Sequence, residues 1–109
     1  MASGSITRTI PYDQFVISSH TIYSGQTIAS KGSITNPSGG LAVTKSGYYP
    51  LGIVGWSASG AYSGFITPGR MYIRDEAVGS CNVFWNFQNN SDSDLTSQGF
   101  AVRILWLKV

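Results

Sequence analysis

The chain has 109 residues, of which 42% are hydrophobic, 13% aromatic and only 11% charged, with a formal net charge of +2. That length holds one hydrophobic core and starves two, and a charged share well under the usual quarter leaves solubility to Ser, Thr, Asn and Gly. The seven basic residues are scattered from Arg8 to Lys108 without a run or stripe to follow a phosphate backbone, so nucleic acid is not an expected partner.

In chain order, short apolar runs recur between turn residues, and no window keeps the i, i+3, i+4, i+7 spacing of an amphipathic helix. The expected strands lie near residues 6–10, 14–19, 27–35, 41–44, 51–57, 62–66, 71–74, 80–88 and 100–109. They form one all-β domain over residues 1–109, an antiparallel, jelly-roll-like β-sandwich in which residues 1–13 are an N-terminal arm or edge strand. Asn36-Pro37-Ser38-Gly39-Gly40 and Asn89-Asn90-Ser91-Asp92-Ser93-Asp94 read as loops, since Asn and Asp bond their own backbone and tolerate left-handed conformations. In Thr67-Pro68-Gly69-Arg70, Pro68 and Gly69 suit the central positions of a type II turn, which would pair 62–66 with 71–74 as a hairpin. On that basis Gly69→Val is expected to cost roughly 1–3 kcal/mol through a positive φ forced on a β-branched residue.

Side-chain parity assigns faces. Cys81, Val83, Trp85 and Phe87 form an apolar row against a mostly polar even-numbered set, which describes a half-buried strand with Cys81 inward. The last strand is apolar on both sides: Phe100, Val102, Ile104 and Trp106 suit the core. Ala101, Leu105, Leu107 and Val109, interrupted by Arg103, need a second cover. A two-layer sandwich covers one face of each sheet, so Arg103, Leu105, Leu107 and Val109 are expected at an interface with further copies of the chain. Arg103 would lie at its edge or pair with an acidic group.

The segment Thr44-Lys45-Ser46-Gly47-Tyr48-Tyr49-Pro50-Leu51-Gly52-Ile53-Val54-Gly55-Trp56 resembles one found in bacteriophage fibre and other virion-surface proteins of gut phages and prophages, where Gly-Tyr-x-Pro-Leu-Gly-Ile-Val-Gly precedes a variable loop. The likeness continues through a Gly- and aromatic-rich middle, a strand like Cys81-Asn82-Val83-Phe84, a polar turn and an apolar closing strand, covering roughly residues 14–109. It implies a fibre-type head domain, commonly a homotrimer, exposed on a virion and serving host-surface attachment or particle decoration, with other virion proteins and a host-cell glycan or protein as partners. Unlike a full fibre protein, these residues show no heptads of a stalk and no recognisable virion-anchoring pattern, so a head-type module is the expectation. A monomeric carbohydrate-binding domain is the alternative.

For chemistry the sequence offers little, and no enzyme is expected. His20 is the sole histidine, with Asp13 the nearest upstream carboxylate, and Gly55-Trp56-Ser57-Ala58-Ser59 lacks the last glycine of a nucleophile elbow. His20 reads as a surface or turn residue and Cys81 as a buried thiol. Asp75 and Glu76 are neighbours that a strand would point apart, whereas glycosidase carboxyls converge. Asn90, Asp92 and Asp94 have the alternate spacing of a calcium loop without its glycine and closing glutamate, so a polar hairpin turn is expected and no metal or cofactor. Asn89-Asn90-Ser91 is formally a glycosylation sequon. Met1-Ala2-Ser3-Gly4-Ser5 lacks a signal-peptide pattern, no apolar stretch nears the ~20 residues of a membrane span, and one cysteine permits no intrachain disulfide. Synthesis in a host cytoplasm without membrane insertion is the expectation. Tyr48, Tyr49, Trp56 and Tyr62 are the candidate ligand-binding residues, as aromatics able to stack on sugar faces. For Trp56, as for Phe65 in the same region, core filling is the favoured reading.

Overall fold

The computed structural model describes residues 12–60 and 63–109. The expected strand at 6–10, most of the N-terminal arm, and Tyr62 lie outside the described residues. A 3-10 turn at Tyr12–Gln14 leads into seven strands: β1 (Phe15–Ile28), β2 (Ser33–Thr35), β3 (Leu41–Thr44), β4 (Tyr48–Ser59), β5 (Ile66–Ala77), β6 (Ser80–Asn89) and β7 (Leu95–Lys108), with a second 3-10 turn at Ser63–Phe65. One sheet runs β1-β7-β4; in the other, β6 is flanked by β5 on one side and by β2 and β3 on the other. Every pairing is antiparallel and the two sheets pack face to face, so the chain is all-β and a β-sandwich.

The two central strands carry the core, as their parity requires. Phe100, Val102, Ile104 and Trp106 of β7 face Cys81, Val83, Trp85 and Phe87 of β6, and all eight are buried. Phe87 stacks on Phe100 at 4.1 Å between ring centroids, with Trp56 5.5 Å from Phe87. Each such side chain removed from water contributes about 1.5–3 kcal/mol.

The Pro-Leu-Gly-Ile-Val-Gly run explains β4. Its pairing with β7 shifts register between Pro50 and Gly52 and again between Ile53 and Gly55, so Leu51-Gly52 and Val54-Gly55 are bulges, each ending in glycine. A bulge puts two residues opposite one and bends the strand. The inward residues of β4 are therefore Tyr48, Pro50, Ile53, Trp56 and Ala58, three apart at the two bulges, while Leu51 and Val54 remain about half exposed. At Gly52 φ is 153°, within reach of glycine alone.

Several boundaries differ from expectation. β1 is continuous through Ser18-Ser19-His20-Thr21, because its ladder comes from β7 and tolerates polar residues. The run at 27–35 is cut by a turn at Ala29-Ser30-Lys31-Gly32, closed by Gly32 N–H donating to Ala29 O at 2.8 Å, with Lys31 at φ 58°. Between β2 and β3, Asn36 extends the ladder past Trp85: its Oδ1 accepts from Trp85 N–H at 3.0 Å and its N–H donates to Trp85 O at 3.2 Å.

The Pro68-Gly69 turn is not formed. Both residues lie inside β5, where a register shift between Pro68 and Met71 marks a bulge, and Gly69 has no positive φ. The hairpin turn falls instead at Val78-Gly79, joining β5 to β6, with Gly79 at φ 92°. Tertiary pairing along β6 thus overrides a local turn signal. A Cβ at Gly69 would meet Asn86 Oδ1 at 2.7 Å, the end of a side chain free to turn away. Gly69→Val is accordingly expected to cost less than about 1 kcal/mol, which a thermal melt checks.

Candidate functional site

The residues singled out for chemistry do not converge. His20 lies on β1, half-buried and inward, its ring 5.9 Å from that of Trp106 in an edge-on arrangement. Ser18 Oγ accepts the Trp106 indole N–H at 2.8 Å and is hydrogen-bonded to His20 Nε2 at 2.7 Å. The hydroxyl is engaged on both sides, and whether it donates to Nε2 or accepts from it follows the histidine tautomer. Far from a surface or turn position, His20 belongs to the packing of β1 against β7. Burial, and secondarily Lys45, lowers its pKa from the ordinary 6.5.

A pH dependence follows. With the folded-state pKa depressed, the unfolded chain binds more protons as pH falls. This part of the stability is complete above pH 6.5 and is lost as pH drops through 6.5 toward the folded value. Thermal melts between pH 7.5 and 5 should decline, and His20→Gln should flatten that decline; equal slopes would remove the assignment.

Cys81 is buried, and desolvation with Glu76 nearby pushes its thiol up to about 11, where it is inert. Asp75 and Glu76 are exposed near the end of β5. Asp75, at φ 56°, accepts from Asn82 Nδ2 at 2.8 Å.

The polar segment after β6 crosses between the sheets and so is not a hairpin turn. Its acidic groups are occupied: Asp92 pairs with Lys31 at 3.4 Å and Asp94 Oδ1 accepts from Ser30 N–H at 2.9 Å. Asn89, wholly buried, organises this loop. Its Nδ2 donates to the carbonyls of Ile28, Ala29 and Ser93, and its Oδ1 accepts from Ser91 N–H and Oγ–H. The sequon asparagine therefore has no amide to offer in the folded chain. No group of three or more metal-ligating side chains occurs among the described residues.

The aromatic candidates are dispersed. Tyr48 and Trp56 turn inward against the core, with Lys45 Nζ 4.7 Å above the Tyr48 ring. Tyr49 points outward from the opposite face of β4, and Tyr62 lies outside the described residues. Phe65, read as core filling, is 50% exposed instead, because the 3-10 turn carries it past the sandwich edge.

Two outer faces carry the features with functional content. The first belongs to β1-β7-β4, where register sets residues in rows: Phe15–Leu107–Tyr49, Ile17–Leu105–Gly52, Ser19–Arg103–Gly55 and Thr21–Ala101–Ser57. The first two rows are apolar, with Ile17 57% and Leu51 46% exposed. Arg103 lies flat over Gly55, where a methyl group would overlap its guanidinium, and makes no ion pair with a described residue. Val109, just past β7, is exposed. The expected interface residues Arg103, Leu105, Leu107 and Val109 thus share one face with Phe15, Ile17, Tyr49, Leu51 and Val54.

The second is the outer face of β5 and β6, which sequence reading passed over. Tyr72 and Phe84, a cross-strand pair, stack at 5.0 Å with 4° between planes. Arg70 and Arg74 sit 5.5 and 5.4 Å from the Tyr72 ring, and Arg74 5.7 Å from Phe84. The signal was present as alternation in Arg70-Met71-Tyr72-Ile73-Arg74, hidden by the expected turn just before it.

No family model, curated protein or solved structure matches the chain.

Proposed function

We propose that this chain is a non-enzymatic structural module of the virion fibre type, a homotrimer whose subunits meet through the outer face of β1-β7-β4 and whose other surfaces face a host-cell partner. The observation that supports it is the apolar half of that face. Monomers rarely expose contiguous apolar patches beyond a few hundred Å², and here two apolar cross-strand rows lie on the outer face, with the exposed bulge residues Leu51 and Val54 beside them. Arg103, Ser19 and Thr21 form a polar margin, the usual arrangement around a buried interface centre. The virion assignment itself rests on the Gly47-Tyr48-Tyr49-Pro50-Leu51-Gly52-Ile53-Val54-Gly55 resemblance.

Light scattering coupled to size exclusion over a range of concentrations tests the assembly: three chain masses are expected, and a stable single-chain mass when dilute would overturn it. That result would favour the second reading, a monomeric carbohydrate-binding domain, to which the arginine–aromatic face of β5 and β6 gives weight. On the non-enzyme reading, His20→Ala, Cys81→Ala and Asp75→Asn with Glu76→Gln should abolish no turnover: the Ser18 hydroxyl beside His20 Nε2 is held by the Trp106 indole and no described carboxylate pairs with the imidazole, the Cys81 thiol is buried and pushed up to about 11, and Asp75 is bonded to Asn82. Hydrolysis of a glycan or ester that vanished with one of them would contradict it.

A further inference from the structure

We propose that the outer face of β5 and β6 is a binding site for an acidic saccharide, one whose sugar rings carry carboxylates. The inference deepens the host-partner reading and is independent of the oligomeric state.

A groove of about 450 Å³ lies on this face, bordered by Thr35, Gly69, Arg70, Tyr72, Phe84 and Asn86. Pockets of ~300–1,000 Å³ suit small ligands, so this one fits a short stretch of sugar. Its lining is rich in donors without partners. Among the described residues, no carboxylate pairs with Arg70 in the lining or with Arg74, which lies beside the groove against Tyr72 and Phe84, and the Asn86 amide and Tyr72 hydroxyl make no hydrogen bond. Asp92 is engaged by Lys31 and Asp94 by Ser30, and the carboxylate nearest to Arg74 along the strand, Asp75, is bonded to Asn82, the cross-strand partner of Arg74.

Two guanidiniums held against the same aromatic ring are pre-organised, since stacking fixes the plane while leaving the N–H fork open. That fork matches a carboxylate in a bidentate pair. Gly69 keeps the groove open, because a side chain there would press on Asn86. A neutral sugar would leave both charges unanswered. Nucleic acid would need a longer basic track than two arginines, and none continues along the sheet from them.

The test is calorimetric titration of the intact protein with tetragalacturonate, with maltotetraose as the uncharged counterpart. Binding of the first and not the second is expected. Arg70→Gln with Arg74→Gln should weaken it by about tenfold or more, and Asn86→Ala should weaken it severalfold with no change in charge. Lys108→Gln, remote from the groove, should leave it unaltered. Thermal melts of each variant confirm folding, and light scattering on the same samples separates loss of binding from loss of assembly. Four results would overturn the site: no binding of tetragalacturonate, an equal loss with Lys108→Gln, displacement by inorganic phosphate, or preference for a single-stranded oligonucleotide with the same arginine dependence.

Discussion

Leu105→Asp combined with Leu107→Asp is expected to break the assembly into single chains or to unfold it, the largest effect on association that any pair of substitutions should produce. Both leucines are half-buried at the centre of their cross-strand rows, between Ile17 and Gly52 and between Phe15 and Tyr49. Burying each completely at a subunit contact contributes about 1.5–3 kcal/mol. Two carboxylates there would lose that contribution and stand unpaired in a dry contact, a strongly unfavourable state. Their neighbours Ile104 and Trp106 point into the core on alternate positions, so the sandwich interior is not itself altered. Scattering mass and circular dichroism measured together distinguish the outcomes. Ile17→Lys, on an edge strand and more than half exposed, should weaken association with little effect on folding. A pair of aspartates that left a trimer intact would require a different face for the contact.

The second large effect concerns stability. Asn89→Asp preserves shape but turns three donated hydrogen bonds into a carboxylate facing the carbonyls of Ile28, Ala29 and Ser93 at 2.9–3.2 Å. Leaving a buried acceptor without its donor costs about 1–3 kcal/mol, and more for a charged group. A loss of at least about 3 kcal/mol at neutral pH is therefore expected, enough to unfold many domains of this size. Asn89→Ala should cost less, because no charge is buried. Urea unfolding of the three proteins at pH 7 gives the order, and equal stability of the aspartate variant would mean that the buried amide is not what holds this loop.

Much of the fold was readable because two strands obey strict alternation. In β6 and β7 the apolar parity alone identifies the core row of each, and the same parity exposes the second apolar face of β7. What the sequence concealed was long-range pairing. Residues 20–26 look like a break until β7 is placed beside them, and the Pro68-Gly69 dipeptide carries a strong turn signal that β6 overrides with a bulge. The consequence extended to the site. With 71–74 treated as a short hairpin arm, Arg70, Tyr72 and Arg74 were not seen as one row. The turn at Val78-Gly79, which sets Phe84 opposite Tyr72, was not read as a turn. Asn89 was legible only as loop, since its role depends on carbonyls 60 or more positions earlier in the chain.

The position of β7 bears on how the chain reaches this state. β1 and β4 do not pair with each other, and each finds its hydrogen-bonded neighbour only in the last strand. Among the described residues, the sheet containing β6 draws on 33–89, with a tight hairpin from β5 to β6 as a local start. During synthesis that half can close while β1 and β4 still wait, their ladder edges and the inner faces of Ile22 and Ile53 open to other chains. Closing β1 onto β7 then joins residues as far apart as Phe15 and Leu107, and such closure is slow. Emergence of β7 is thus the committing event, and the interval before it is when a nascent chain is most vulnerable to association with the wrong partner.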